Sequence, residues 1–222
     1  MNDCFPEFKN QHSFIKKKSS FLFSAAYFFI VMFLFSCAQK PEEQNKNAST
    51  SVKEKTVWTE KDETELKKLL KNFNRTKDIS NNIIWYSHKN IPTDKTNLHA
   101  EVNGTDCYCY LISMYCGKSP LSNDSVQVII GKKVLSTKKI LPSDRRNRKS
   151  NFKNLLFETI HFTEGTDNNI PEFIALNDEK DINVKLIGQE KYYEYALSKK
   201  LIMSIKEAYE LTEMLKRKNS AL

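Results

Sequence analysis

Cys37 closes an uncharged apolar run, Phe21–Ser36, and its sulfur is the first candidate for chemistry in this chain. A cysteine sulfur is the best side-chain nucleophile near neutral pH, so it can accept an alkyl or acyl group. The run is shorter than the about 20 residues that a helix needs to span a bilayer. Three lysines precede it, and positive charge followed by an apolar stretch is typical of an export signal (Lys16, Lys17 and Lys18). The sequence therefore predicts export, with a modifiable cysteine where the signal ends.

The residues around Cys37 resemble a known processing motif. Leu34-Phe35-Ser36-Cys37 resembles the lipobox of bacterial lipoproteins. This resemblance implies a diacylglyceryl thioether on Cys37, cleavage before it, and acylation of the new amine. Residues 1–36 are then a signal peptide, and the protein belongs to the bacterial cell envelope, with the outer membrane as the expected site. An uncleaved signal anchor is the alternative.

Residues 37–56 contain one large apolar side chain, Val52, and cannot bury enough apolar surface to fold. We expect a disordered tether that holds the following domain roughly 25 Å from its lipid anchor. The acidic pair Glu42-Glu43 resembles the surface-export tag of some Bacteroidetes-type lipoproteins. The domain is therefore expected to face either the periplasm or the outside of the cell.

Residues 57–222 are long enough for one domain with its own core. A helix is predicted after Thr59, which can form a capping box with Asp62, and another after Ser198. Between them the pattern indicates a polar break over 72–82, a hairpin at Gly131 and a short helix at Pro171. Strands are predicted at 83–88, 105–116, 126–130, from 134 onward, at 155–163, over 182–186 and at 192–195. The predicted fold class is α+β, an antiparallel β-sheet or sandwich flanked by an N-terminal and a C-terminal helix.

A second resemblance follows from the order of motifs in this domain. Trp85-Tyr86-x-His88-Lys89 is followed by a central aromatic strand, a glycine hairpin, a Phe-Glu strand, Val184-Lys185-x-x-Gly188, several tyrosines and a terminal helix. This order resembles a group of small exported bacterial domains of undefined role. The resemblance implies one compact domain and brings no catalytic residues.

Cysteines and histidines are the remaining candidates for chemistry. Cys107 and Cys109 are expected to point the same way on one strand and Cys116 the other way, so a disulfide would need a bend in the strand. Buried apolar packing is the alternative for all three, and no metal or other cofactor is predicted, because no histidine stands at ligand spacing. His88 and His161 are the candidate acid–base residues of a hydrolase. Glu158, three residues before His161, is expected on the opposite face of the strand.

A basic segment and an aromatic pair are the candidate binding residues. The basic residues are expected in a loop that could hold carboxylate or phosphate groups (Arg145, Arg146, Arg148 and Lys149). Trp85 and Tyr86, with Tyr108, Tyr110 and other tyrosines, could instead line a sugar or peptide groove. An anionic glycan, a lipid headgroup or an acidic protein is the expected partner. No nucleic acid is expected, since no aromatic platform is interleaved with the charges.

Together these patterns predict a lipid-anchored envelope protein that works by binding and not as an enzyme. An envelope hydrolase using His88 or His161 and a purely structural envelope component remain the alternatives.

Overall fold

The computed structural model describes residues 57–221. The predicted signal peptide, the lipidation site Cys37 and the tether lie outside the described residues. Three helices and ten strands form in the described part of the chain: α1 (Glu60–Leu70), β1 (Phe73–Asp78), β2 (Ile83–His88), β3 (Asn97–Asn103), β4 (Tyr108–Gly117), β5 (Asn123–Ile130), β6 (Lys133–Ser136), β7 (Asn147–Phe152), β8 (Leu155–Phe162), α2 (Ile170–Ala175), β9 (Asn183–Gly188), β10 (Tyr192–Ala196) and α3 (Lys199–Ala221).

All strand pairs are antiparallel, and the strands form two hydrogen-bonded sheets. The six-stranded sheet has the order β1-β2-β3-β4-β8-β7, and the four-stranded sheet has the order β10-β9-β5-β6. With α1 before the strands and α3 after them, the predicted α+β class is confirmed. The expectation that the strand around Tyr110 is central is also confirmed, because β4 lies between β3 and β8.

The first helix begins as predicted. Thr59 accepts a hydrogen bond from the backbone N–H of Asp62, and the Asp62 carboxylate accepts one from the Thr59 N–H, so two otherwise unpaired donors are satisfied. The prediction of a polar break over 72–82 is wrong, because β1 lies there. β1 is an edge strand with mostly exposed side chains, so its sequence lacks the apolar alternation that indicates a strand.

The six-stranded sheet has an inner and an outer face, which the register of its strands defines. The inner face carries the buried apolar residues Leu98, Ala100, Leu111, Ile160 and Phe162, and α3 packs against it across β3 and β4. The outer face carries Trp85, His99, Tyr110 and His161. Buried side chains from both sheets and from all three helices form one apolar core.

Three further expectations are corrected by the structure. The sequence predicts no strand at 97–103 or 147–152, where β3 and β7 lie, and β7 places Arg148 and Lys149 on a strand in place of the predicted loop. Cys107 lies in the β3–β4 turn with a φ of 51°, so it does not share a strand face with Cys109. Cys116 does lie on the face opposite to Cys109, as expected. No disulfide bond links any two of these three cysteines.

Candidate functional site

His88 ends β2 and has both ring nitrogens occupied. Its Nδ1 accepts a hydrogen bond from the backbone N–H of Asn90 at 3.1 Å, so the proton of the neutral ring is on Nε2, which lies 3.0 Å from Glu207 Oε2. The Asn72 amide donates to the same carboxylate oxygen at 2.8 Å. The ring also packs edge-on against Phe73. In this arrangement His88 has no nitrogen left to take a proton from a nucleophile.

His161 lies on the outer face of β8, and Glu158 lies on the inner face, so the two side chains do not meet, as the sequence predicted. His99 is in the same row of the sheet on β3, with Ile112 between the two histidines. Two strand spacings put them about 10 Å apart, too far for a direct hydrogen bond. Burial lowers the pKa of both rings, to about 3 for His99. They are therefore a pair of separated neutral rings.

Arg146 forms a salt bridge with Asp144. Its Nε and Nη2 atoms donate to the two carboxylate oxygens of Asp144 at 3.0 and 2.7 Å. These hydrogen bonds lower the pKa of Asp144 to about 2 and raise that of Arg146. Arg145 and Arg148 are exposed, and Arg148 Nε donates to the Arg145 carbonyl at 3.4 Å. Of the three predicted arginines, two therefore present their charge to solvent.

Lys149 is also drawn toward the protein, because its Nζ lies 3.6 Å from an oxygen of the buried Glu158 carboxylate. Its side chain nevertheless stays 40% exposed. Arg146 and Lys149 thus lie next to carboxylates of the protein, whereas Arg145 and Arg148 present their charge to solvent.

Trp85 and Tyr86 do not form one surface. Neighbouring residues of a strand point to opposite faces, and Trp85 lies on the outer face while Tyr86 packs against the core on the inner face. Four strand spacings separate β2 from β7, so about 19 Å lies between Trp85 and the basic residues of β7. The aromatic and basic candidates therefore belong to different sites.

Trp85 instead begins an aromatic row with Tyr110 and Tyr108 on the outer face. The ring centroids of Trp85 and Tyr110 are 5.1 Å apart, and those of Tyr110 and Tyr108 are 5.0 Å apart, both in edge-to-face geometry. The sequence singled out all three residues among many aromatics, but not their contact. Only the pairing of β2 with β3 and of β3 with β4 brings them together.

The aromatic row ends in a cavity of about 520 Å³, which we call the tyrosine cavity. Tyr108 and Tyr110 line it together with two carboxylates, Asp106 and Glu164, and the amine of Lys216. These groups come from the β3–β4 turn, from β4, from the segment after β8 and from α3. The volume is within the range of small-molecule sites, about 300 to 1,000 Å³.

A hydrogen bond to Asp167 holds Tyr108 in place at the tyrosine cavity. Its hydroxyl donates to Asp167 Oδ2 at 2.7 Å, and Asp167 is buried. Burial raises the pKa of Tyr108, and the hydrogen bond to Asp167 raises it further. The phenol therefore stays neutral and keeps its ring fixed against Tyr110.

Cys107 lines this cavity, and neither it nor Cys109 has the features of a reactive thiol. Asn219 Nδ2 lies 3.1 Å from the Cys107 sulfur, and burial raises the pKa of the Cys107 thiol. Burial raises the pKa of Cys109 to about 12. Among residues 57–221, no group of three or more His, Cys, Asp or Glu side chains could hold a metal ion.

A second cavity, of about 590 Å³, lies between α1 and α3. Its lining mixes acidic residues such as Glu207 and Glu210 with basic residues such as Lys206, and Lys206 is 2.8 Å from Asp178. Burial raises the pKa of Glu210. Because both acidic and basic residues line it, this cavity indicates no particular ligand charge.

No helix within the described part of the chain is long and apolar enough to cross a membrane. Comparison with protein-family models, with curated proteins and with solved structures finds no match to this chain.

Proposed function

We propose that this protein is a lipid-anchored component of the bacterial cell envelope that binds a neutral saccharide in the tyrosine cavity. The membrane attachment is the one that the lipobox resemblance implies, through Cys37, with the outer membrane as its expected location. The observation that carries the binding proposal is the contact of Trp85, Tyr110 and Tyr108 in a row that opens into a cavity with two carboxylates.

The chemistry of the tyrosine cavity supports this ligand class. Aromatic rings offer apolar faces to the C–H groups of a sugar ring. The carboxylates of Asp106 and Glu164 accept hydrogen bonds from hydroxyl groups, and the Lys216 amine donates them. The two carboxylates outnumber the one amine, so the cavity repels an anionic ligand. This ligand therefore differs from the anionic partners expected of the basic residues.

The binding proposal is tested by calorimetric titration of the full-length chain, purified in detergent, with chitotetraose, maltotetraose and xylotetraose. We expect at least one of them to bind, and Tyr110→Ala to weaken that binding by up to about tenfold, since a contact with an aromatic ring contributes roughly 0.5 to 1.5 kcal/mol. Glu164→Gln should weaken it as well. Tyr192→Ala is the matched control, because Tyr192 is an exposed tyrosine on β10. Failure of all three sugars to bind, or equal binding by Tyr110→Ala, refutes the proposal.

The anchor is tested separately in cells given labelled fatty acid. The wild-type chain should take up the label and lose residues 1–36, whereas Cys37→Ala should stay at precursor length without label. Processing of Cys37→Ala to the wild-type size would show that the lipobox interpretation is wrong and leave the sugar-binding result untouched.

A further inference from the structure

β7 is an edge strand with one side unpaired among the described residues. It ends the six-stranded sheet and pairs there only with β8. Residues 148–152 are all exposed, and Phe152 is 61% exposed. A two-residue turn follows, Lys153-Asn154, with both φ values positive. The strand therefore projects as one arm of a tight hairpin, with its outer edge open to a partner.

The register shows which backbone groups face that open edge. The N–H of His161 donates to the Arg146 carbonyl at 3.0 Å, so the pair of Arg148 with Thr159, two residues further on, also exchanges hydrogen bonds. Residues between these pairs point their N–H and C=O groups the other way. Lys149 and Asn151 therefore present two donors and two acceptors to the open edge, one residue apart, which is the spacing that an added strand requires.

The exposed charges around this edge are positive. Arg145, Arg148 and Lys153 are exposed beside it, and Lys149 is half exposed at its centre. The nearby Asp144 carboxylate is already occupied by Arg146. A second copy of this edge is thus an unsuitable partner, because pairing would set Arg148 and Lys149 against like charges. An acidic strand supplies the opposite charge at alternating positions.

We propose that β7 binds an extended acidic peptide segment of a partner protein as a further strand of the six-stranded sheet. Lys149 and Asn151 supply the backbone hydrogen bonds, while Arg145, Arg148 and Lys153 contact acidic side chains of the segment. This surface is separate from the tyrosine cavity and adds a protein partner to the proposed sugar-binding function.

The test uses a fluorescently labelled peptide, acetyl-Glu-Val-Glu-Val-Glu-Val-Glu-amide, and the full-length chain in detergent. We expect saturable fluorescence anisotropy that weakens with added salt, and much weaker binding of the same peptide with lysine in place of glutamate. No binding of the acidic peptide up to about 1 mM, which corresponds to about −4 kcal/mol, overturns the proposal. Equal binding of the two peptides overturns it too.

Backbone pairing is tested with proline. Asn151→Pro removes an N–H that faces the open edge and leaves the hydrogen bonds to β8 in place, so peptide affinity should fall about tenfold. Lys77→Pro is the matched control, because the register of β1 with β2 points the Lys77 N–H away from β2 at the opposite edge of the same sheet. If Asn151→Pro does not fold, Arg148→Gln with Lys153→Gln gives an independent test through the same loss of affinity. Unchanged binding by a folded Asn151→Pro, or by the double variant, shows that β7 is only a protected edge.

Discussion

The carboxylate of Glu158 on β8 accepts a hydrogen bond from the backbone N–H of Asn123 on β5 at 2.9 Å, and this bond joins the two sheets. The second carboxylate oxygen accepts from the Ser122 N–H at 3.1 Å. Glu158 is fully buried, with 0% exposure. Two backbone N–H groups therefore hold the Glu158 carboxylate at the junction of the two sheets.

We predict that Glu158→Gln destabilises the fold by about 2 kcal/mol or more, because one of the two acceptors becomes an amide N–H₂ facing a backbone donor. Lys149→Met should cost less than about 1 kcal/mol, since the lysine side chain is 40% exposed and its ion pair is screened by water. Urea unfolding of both variants measures the difference. A larger loss for Lys149→Met would mean that the ion pair, and not the backbone, holds the carboxylate.

His88 is predicted to carry its proton on Nε2 at any pH where the ring is neutral, because Nδ1 accepts from the Asn90 N–H and Nε2 faces Glu207. Long-range proton–nitrogen correlation spectra distinguish the two ring nitrogens directly. His161, for which no such pair of partners is seen among the described residues, serves as the internal comparison. A proton on Nδ1 of His88 would contradict the described hydrogen bonds and reopen an acid–base role for this residue.

His99 is predicted to make the protein less stable as the pH falls from about 6.5. Its pKa is lowered to about 3 in the fold, mainly by burial, so between these two values the unfolded chain binds a proton that the folded chain does not. His99 therefore contributes a slope of up to about 1.4 kcal/mol per pH unit in this window, and none above it.

Chemical unfolding at several pH values measures this slope. His99→Gln should flatten it, and His161→Gln should flatten it less, because burial also lowers the pKa of His161 but His161 is less buried. An unchanged slope in His99→Gln would show that the ring takes up its proton inside the fold.

Cys109 is predicted to resist alkylation in the native protein. The thiolate is the reactive form, and burial raises the pKa of this thiol to about 12, so little thiolate forms at pH 8. Iodoacetamide should modify Cys109 only after unfolding in guanidinium, as peptide mass mapping will show. Labelling at equal rates in the native and unfolded chain would place Cys109 outside the core.

Local features of the fold could be predicted from the sequence, and features that depend on distant pairing could not. Thr59 and Asp62 are three residues apart, and Gly131 directly permits its turn, so short windows contain the whole signal. The polar edge strands β1 and β7 have no such local signal in the sequence. The sequence predicts a loop at β7 because Arg148 and Lys149 show no apolar alternation, and its pairing with β8 is what makes it a strand.

For the candidate site, too, the sequence predicts which residue types matter but not which of them come together. Residue type alone singled out Trp85 and the arginines, but not which groups share a surface. The contact of Trp85 with Tyr110 requires three strands in register, and Glu207 reaches His88 from another element, 119 positions away in the chain. Neither contact produces a pattern of apolar and polar residues that could be recognised in the sequence.

The position of α3 after every strand has a consequence for biosynthesis. The apolar inner side of β3 and β4 is covered by α3, which is made after all ten described strands. A chain in which α3 is not yet made or not yet packed therefore exposes this apolar surface. We expect a product truncated before residue 199, which leaves this surface uncovered, to be an early target for proteolysis.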